Sequence, residues 1–502
     1  MLKPRIFLLI SALSLILAAL PVNGRAQAVY GSIFGTVTDP QGAAVAGAIV
    51  TVTELSKNVV TTVQTNESGN YNVVSLVPGR YSVKVEAQGY KLSTQEVEVK
   101  ADVAARTDFQ LQIGAVTEQV TITAEAQQLS LKTDRADVAT SFSQEQIQEL
   151  PIFDRNFTTF ELLTPGTVKL SSFQHAASEN PQGSIQIMVN GQHFSGTSFQ
   201  LDGTDNRDPI LGIIVINPAL EATVESKVTT QNFDAEFGLA TAGVVTAQTR
   251  SGSNEPHGSL FLFRRNDLTQ ARDPFSQSVP DPVTGKLKPD SLWSQFGGSF
   301  GWKLKENKNF IFGDYQGTRS KEGGSVLTTV PTLRARMGDL SEYPNQIFDP
   351  ATGDPVTGVG RVAFPGNRIP AGRLSPQALA LLDLIPLPNL PGVVNNFSTS
   401  GIDVFNGDQF DIRDDHYWSE NLHLFGRYSF AQFDRSKPGA FGFLVGGPEL
   451  SGARFAGLSD VRNQSIAAGF DYTVSPTTIT DFRFGFFRYR VAVLPGGIGT
   501  SP

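Results

Sequence analysis

The sequence predicts a mainly β protein of 502 residues in three successive units: a small sandwich, a mixed α+β unit and a series of long strands. Three observations predict it. Apolar and polar residues alternate with period two along much of the chain, the spacing of strands with one buried face. Composition sets 48 Gly, 35 Phe and 29 Pro against only 3 Met, which suits strands and turns better than helices. Finally, the one long apolar run stands at the N-terminus.

That run, Ile6 to Leu20, follows Lys3 and Arg5 and precedes Ala26-Gln27-Ala28. A basic start, an apolar stretch and a small-x-small cleavage site read as a secretory signal peptide over residues 1–28. A membrane anchor is the alternative, but a spanning helix wants about 20 apolar residues. With no second run of that length, a membrane-embedded mature chain crosses as a barrel. Loss of Lys3, Arg5 and Arg25 takes the net charge from −8 to −11, which argues against nucleic acid as a partner. Zero cysteines exclude a disulfide scaffold, thiol catalysis and cysteine metal ligands.

Residues 29–114 form the first unit. Alternating segments recur from Ile33-Phe34-Gly35-Thr36-Val37 to Phe109-Gln110-Leu111, with turns at Asp39-Pro40-Gln41-Gly42, Asn66 to Asn70 and Pro78-Gly79. Such spacing predicts a small sandwich. Gly35-x-Val37-x-Asp39, Gly47-Ala48-x-Val50-x-Val52, Gly69-x-Tyr71 and Leu76-x-Pro78-Gly79-x-Tyr81-x-Val83 resemble the carboxypeptidase regulatory-like domain. The resemblance implies a non-catalytic, Ig/transthyretin-like β-sandwich. It serves as a structural spacer or, as in some related sandwiches, binds carbohydrate.

Within a linker at 115–136, Glu118-Gln119-Val120-Thr121-Ile122-Thr123-Ala124 is a short extended stretch. It resembles a TonB box, the segment offered to the periplasmic TonB protein, and the physics would be addition of a strand to a sheet edge. A last sandwich strand would look the same. Residues 137–254 resemble the plug domain of TonB-dependent receptors. Ser143 caps a helix stopped by Pro151, and Phe157 to Leu163 suggests a second. The motif residues are Asn190-Gly191 after a short strand, Leu201-Asp202-Gly203 after another, and Gly243 to Thr249 followed by Ser251-Gly252. An arginine usually stands where Asn190 does. Asp202 to Asp208 hints at calcium, but an EF-hand loop needs Gly sixth and Glu twelfth, where Arg207 and Ile213 stand. A polar turn is the better reading.

From 255 to 502 the alternation lengthens, as in Gln295 to Trp302, Asn309 to Tyr315, Asn421 to Tyr428, Ser465 to Tyr472 and Thr478 to Val493. Phe and Tyr on one face and Gly on the other fit transmembrane strands of about 10 residues; a soluble aromatic-rich sandwich is the alternative. A Pro/Gly-rich stretch at about 318–408 predicts a long loop. It resembles the loop of Oar-like TonB-dependent receptors, which also carry the N-terminal sandwich, and makes it a candidate for ligand capture.

No catalytic motif is present. The five histidines (His175, His193, His257, His416 and His423) are scattered, and strand alternation would put His416 and His423 on opposite faces as barrel-lining polar groups rather than metal ligands. The resemblance implies an energy-coupled outer-membrane receptor with no cofactor and no enzymatic step. TonB and outer-membrane lipid would be its partners, together with an unidentified extracellular ligand, carbohydrate or peptide. The alternative is a secreted or surface-attached adhesion or carbohydrate-binding protein. Plugged barrels of this class have about 22 strands. About six to eight are counted here, and Gly499-Thr500-Ser501-Pro502 lacks a terminal aromatic, so the expectation is a C-terminally truncated fragment.

Overall fold

The computed structural model describes residues 30–495, apart from 102, 115–118, 123–135, 153–154, 170–185, 211, 273–279, 281–284, 289, 449–456 and 476–477. The expected signal peptide with Ala26 and Ala28, and His175, lie outside the described residues.

The first unit folds as two packed sheets. Its strands are β1 (Gly31–Thr38), β2 (Ile49–Glu54), β3 (Val59–Gln64), β4 (Asn70–Leu76), β5 (Gly79–Glu86), β6 (Leu92–Val99), β7 (Ala104–Arg106), β8 (Phe109–Gln110) and β9 (Gln119–Ile122). One sheet runs β4-β1-β7 with β8 also on β1; the other runs β3-β2-β5-β6-β9. Alternation turns Ile33, Val37, Val50, Val52, Val83 and Val85 into a shared core between them. Two glycine motifs meet within one sheet, where Gly35 of β1 pairs with Tyr71 of β4. The Tyr71 hydroxyl donates to the Thr107 carbonyl at 2.6 Å, and the chain at Gly35 passes so close that a Cβ there would lie 1.9 Å from that oxygen. Only glycine permits this approach.

The middle unit contains β10 (Val138–Ser143), β11 (Thr167–Lys169), β12 (Ile187–Val189), β13 (Thr197–Leu201), β14 (Thr204–Asp205), β15 (Thr223–Gln231) and β16 (Gly243–Thr249). Its main sheet is ordered β10-β15-β16-β13-β14, with only β13 and β16 parallel. Ser143 caps helix Gln144–Glu149 through a capping box with Gln146, and Asn156 caps the 3-10 helix Phe157–Leu163. Both expected helices are therefore found. Asn190 and Gly191 have φ of 50° and 76°, and Asp202 and Gly203 have 51° and 74°, the backbone of two-residue type I′ turns. Asn replaces the customary arginine at a position where a left-handed residue is required, and its side-chain amide donates to the Thr230 carbonyl at 2.9 Å. The Asp202 segment is likewise a hairpin turn rather than a calcium loop.

The third unit is one antiparallel sheet in simple sequence order: β17 (His257–Asn266), β18 (Ser291–Lys305), β19 (Asn309–Thr328), β20 (Phe397–Ser419), β21 (Leu422–Lys437), β22 (Gly457–Ser475) and β23 (Thr478–Pro495). Short turns join β18 to β19, β20 to β21 and β22 to β23, all at one end; the long connections gather at the other. Its outer face exposes Leu260, Phe300, Trp302, Ile412, Phe482 and Phe484. Its inner face covers the middle unit, and Ala431, Phe433 and Val461 of the wall join Phe142, Phe160 and Leu201 in one apolar core.

Two expectations need correction. Residues 318–328 and 397–408 are strand, so the connection shrinks to 329–396. Glycine is not confined to the face opposite the rings. Phe296 pairs with Gly317, Tyr315 with Gly298 and Phe300 with Gly313 on the outer face, and the Phe296 ring lies over Gly317, where a Cβ would meet it at 2.7 Å.

Replacing Gly35 by alanine should destabilise the sandwich by about 1–3 kcal/mol, the usual cost of overpacking. A thermal unfolding transition of that unit unchanged from the parent would refute the close approach.

Candidate functional site at the inner barrel wall

Arg413 on β20 and Arg427 on β21 are direct cross-strand partners, and both point inward. Like charges so opposed repel. The Asp202 turn places a carboxylate between them: Arg413 Nη1 donates to its Oδ1 at 2.9 Å, and Arg427 Nη1 lies 3.3 Å from its Oδ2. Asp202 is aimed by Thr249, whose N–H and hydroxyl donate to the two oxygens at 2.9 and 2.8 Å. Arg413 also donates to the Thr249 carbonyl at 3.0 Å.

The network continues across the wall. Arg413 holds Asp415 through two bonds of 2.8 and 2.9 Å. His423 stands between Asp415 and Asp471, 3.0 Å from each, and its ring stacks on Tyr417. Arg483 bridges Asp471 at 2.7 Å, and the Tyr30 hydroxyl donates to Asp471 at 2.7 Å. The carboxylates, guanidinia and imidazole of this path from Asp202 to Arg483 are all less than a tenth exposed. A buried set of this kind holds together only as a whole, because removing one member strands its partners in low dielectric.

The remaining sequence-predicted residues divide. Asp202 and Thr249 meet in the cluster, and Leu201 is fully buried beside it. Gly243 sits in the β13–β16 ladder opposite Thr197, whereas Asn190-Gly191 belongs to a separate turn. After Ser251 the chain at Gly252 squeezes against the wall, where a Cβ would meet the Ile311 and Trp302 carbonyls at 2.4 Å. Of the 118–124 segment, Gln119 to Ile122 form β9, paired in parallel with Leu92 to Gln95; Glu118, Thr123 and Ala124 lie outside the described residues. His416 and His423 occupy opposite faces as expected, but on two strands. Only His423 lines the interior, while His416 faces outward beside Trp418.

Sequence reasoning missed Arg413, Arg427, Asp415, Asp471 and Arg483. Their only signal was charge at inward positions of aromatic strands. Toward the long connections, a cavity of about 290 Å³ is lined by Arg155, Asn217, Trp293, Asp403, Phe405 and Arg435. A neighbouring one of about 530 Å³ shares Arg265, Trp293, Ser320 and Glu322 with it. Arg155 forms the floor, bonded to Gln295 at 2.9 Å, paired with Glu221 and lying over the Phe263 ring. At the opposite, short-turn end the sandwich is docked. Asn254 donates to the Ser56 and Lys57 carbonyls, and the Ala101 N–H donates to Glu225 at 2.7 Å. Burial pushes the Glu225 carboxyl up to about 7, although the Ala101 N–H, Lys100 and Lys227 pull it down.

Residues 248–502 match the outer membrane beta barrel domain family, and residues 32–112 match the carboxypeptidase regulatory-like domain. Over 308 residues the chain is 25% identical to the TonB-dependent transporter Oar of Myxococcus xanthus, a span of 59% of this chain and 28% of that one. The chain thus spans under a third of this relative's length. Among solved structures, the outer membrane transporter YddB from Escherichia coli aligns with a TM-score of 0.43 and 11% identity, over 70% of this chain and 38% of that one. A mutant ferric enterobactin receptor from Pseudomonas aeruginosa, in complex with enterobactin, aligns at 0.40 and 10%, over 70% and 41%.

Arg413→Ala should loosen the middle unit by about 3–5 kcal/mol, since Asp202 and Asp415 would lose their shared cation. Asp202→Asn combined with Arg413→Gln should cost less than the sum of the single changes; strict additivity in chemical unfolding would contradict the coupling. For Glu225, the carboxyl rises on folding from an ordinary 4.5 to about 7. The folded protein therefore holds more protons between those values, and stability falls as pH rises from about 4.5 to about 7, by up to roughly 1.4 kcal/mol per unit. Glu225→Gln should flatten this slope in urea titrations, and a slope equal to the parent's would rule the group out.

Proposed function

Since the chain belongs to the outer membrane beta barrel family, we propose that it acts in a TonB-dependent outer-membrane transporter that carries an unidentified ligand inward. The observation that carries this reading is the Asp202 clamp. A compact middle unit packs on the inner wall through a shared apolar core, and one buried carboxylate between two arginines keys it there, a polar lock whose bonds can be broken together. The outer face supplies the lipid contact, with Phe300, Trp302, Phe482 and Phe484 exposed along it.

Short turns of membrane barrels face the periplasm, which supports a periplasmic position for the sandwich and β9. The 329–396 connection and the two cavities then face outward. Arg155, Asp403 and Arg435 beside Trp293 and Phe405 offer charge-assisted bonds and a ring surface, a chemistry suited to carbohydrate or peptide ligands. TonB, drawing on the inner-membrane proton gradient, would pull on 118–124. The pull reaches the plug through the linker and withdraws Asp202, and the plug then shifts. Arg413 and Arg427 left facing each other favour return of the carboxylate, which makes the movement reversible. No bond of the ligand changes.

The test uses Val120→Pro, which removes one backbone donor from the segment. In the parent chain, the purified C-terminal domain of TonB should be retained on immobilised protein from outer-membrane fractions, and the variant should retain at least tenfold less. Equal retention would mean that this segment is not the coupling strand.

A further inference from the structure

β9 is an edge strand with two different sides. One pairs in parallel with β6, Leu92 to Gln119, Ser93 to Val120, Thr94 to Thr121 and Gln95 to Ile122. Among the described residues no strand pairs with the other side, which leaves a row of backbone donors and acceptors open. Natural sheets protect such edges with lysine, proline or a covering element. Gln119-Val120-Thr121-Ile122 contains neither residue type.

We infer that the sandwich is a presentation platform: β6 holds 119–122 extended so that a partner's sheet adds to the open side of β9. The partner is a protein with an exposed strand edge, and on the reading above it is TonB. A free four-residue segment must lose its conformational freedom when it joins a sheet, and that loss weakens binding. Pairing with β6 imposes it in advance. The sandwich is anchored independently of β9, by Ala101 to Glu225 and by Asn254 to Ser56 and Lys57, so the platform has a fixed position beside the plug. The product is one sheet continuous across two proteins, β6-β9-partner, and not an exchange in which β9 leaves β6.

This inference rests on the coupling role of 118–124, and the experiment separates the two. The chain contains no cysteine, so Thr94→Cys/Thr121→Cys introduces a single pair at matched register. Leu92→Cys/Gln119→Cys serves as the alternative pair where the first impairs folding. Mild oxidation should join the pair in the resting chain. The joined protein should bind the purified TonB C-terminal domain within twofold of, or more tightly than, its reduced form. Failure of the pair to oxidise overturns the platform whatever TonB does. A joined protein that binds at least tenfold more weakly than the reduced form also overturns it, because the strand then has to leave β6; the coupling role would survive. If neither the reduced variant nor the parent chain binds, the coupling role falls and the platform with it.

Discussion

Two buried arginines placed opposite each other on neighbouring strands constrain everything inside this wall. Arg413 and Arg427 are stable only with anions between and beside them, and Asp202 is the anion that another unit brings. The rest can be traced from that requirement. The tight turn at Asp202-Gly203 projects the carboxylate, Thr249 aims it, and Asp415 takes the other edge of the Arg413 guanidinium. His423, Asp471 and Arg483 then pass the charge balance along to Tyr30. The middle unit is thereby registered to the wall by electrostatics, while Phe433 and Val461 supply apolar contact that lacks such directionality.

The same strands answer to a second solvent. Every other residue faces the middle unit and its polar network, and its neighbours face outward, rings and glycines among them. A one-residue slip of any strand would exchange these environments and bury charge in lipid. The register is therefore specified from both sides. Within the middle unit, Glu161 shows the limit of tolerance for charge. Both its oxygens are buried without hydrogen bonds, and burial alone pushes its carboxyl well above the ordinary carboxylate range.

What was legible in the sequence was local. Ser143 with Gln146 announced a helix start, and Asn190-Gly191 and Asp202-Gly203 announced turns, because those signals act within four residues. The sandwich motifs were readable for the same reason, although the contact of Gly35 with Thr107 was not. The ends of β19 and β20 were missed because Thr318 to Gly324 lies beyond the apolar belt and has no hydrophobic alternation to show. The clamp was illegible for a stronger reason. Asp202 and Arg413 stand 211 residues apart, and alternation says only that a position faces inward, never which partner it meets there. The parallel pairing of β9 with β6 was open to two readings, since an extended segment looks alike as a last sandwich strand and as a detachable one.

The overshoot of β19 and β20 has a geometric consequence. A strand of 23 residues, such as β20, is roughly 75 Å long at about 3.3 Å per residue. Tilted by about 40° it rises nearly 60 Å, more than twice an apolar band of about 25 Å. Beyond Glu322 and Val404, where β18 and β21 stop pairing, only β19 and β20 continue together, so the 329–396 module is carried on a two-stranded stalk of six residue pairs, with Asn396 exchanging hydrogen bonds with Val330 at its tip. That stalk is roughly 20 Å long, which sets the module apart from the rest of the wall.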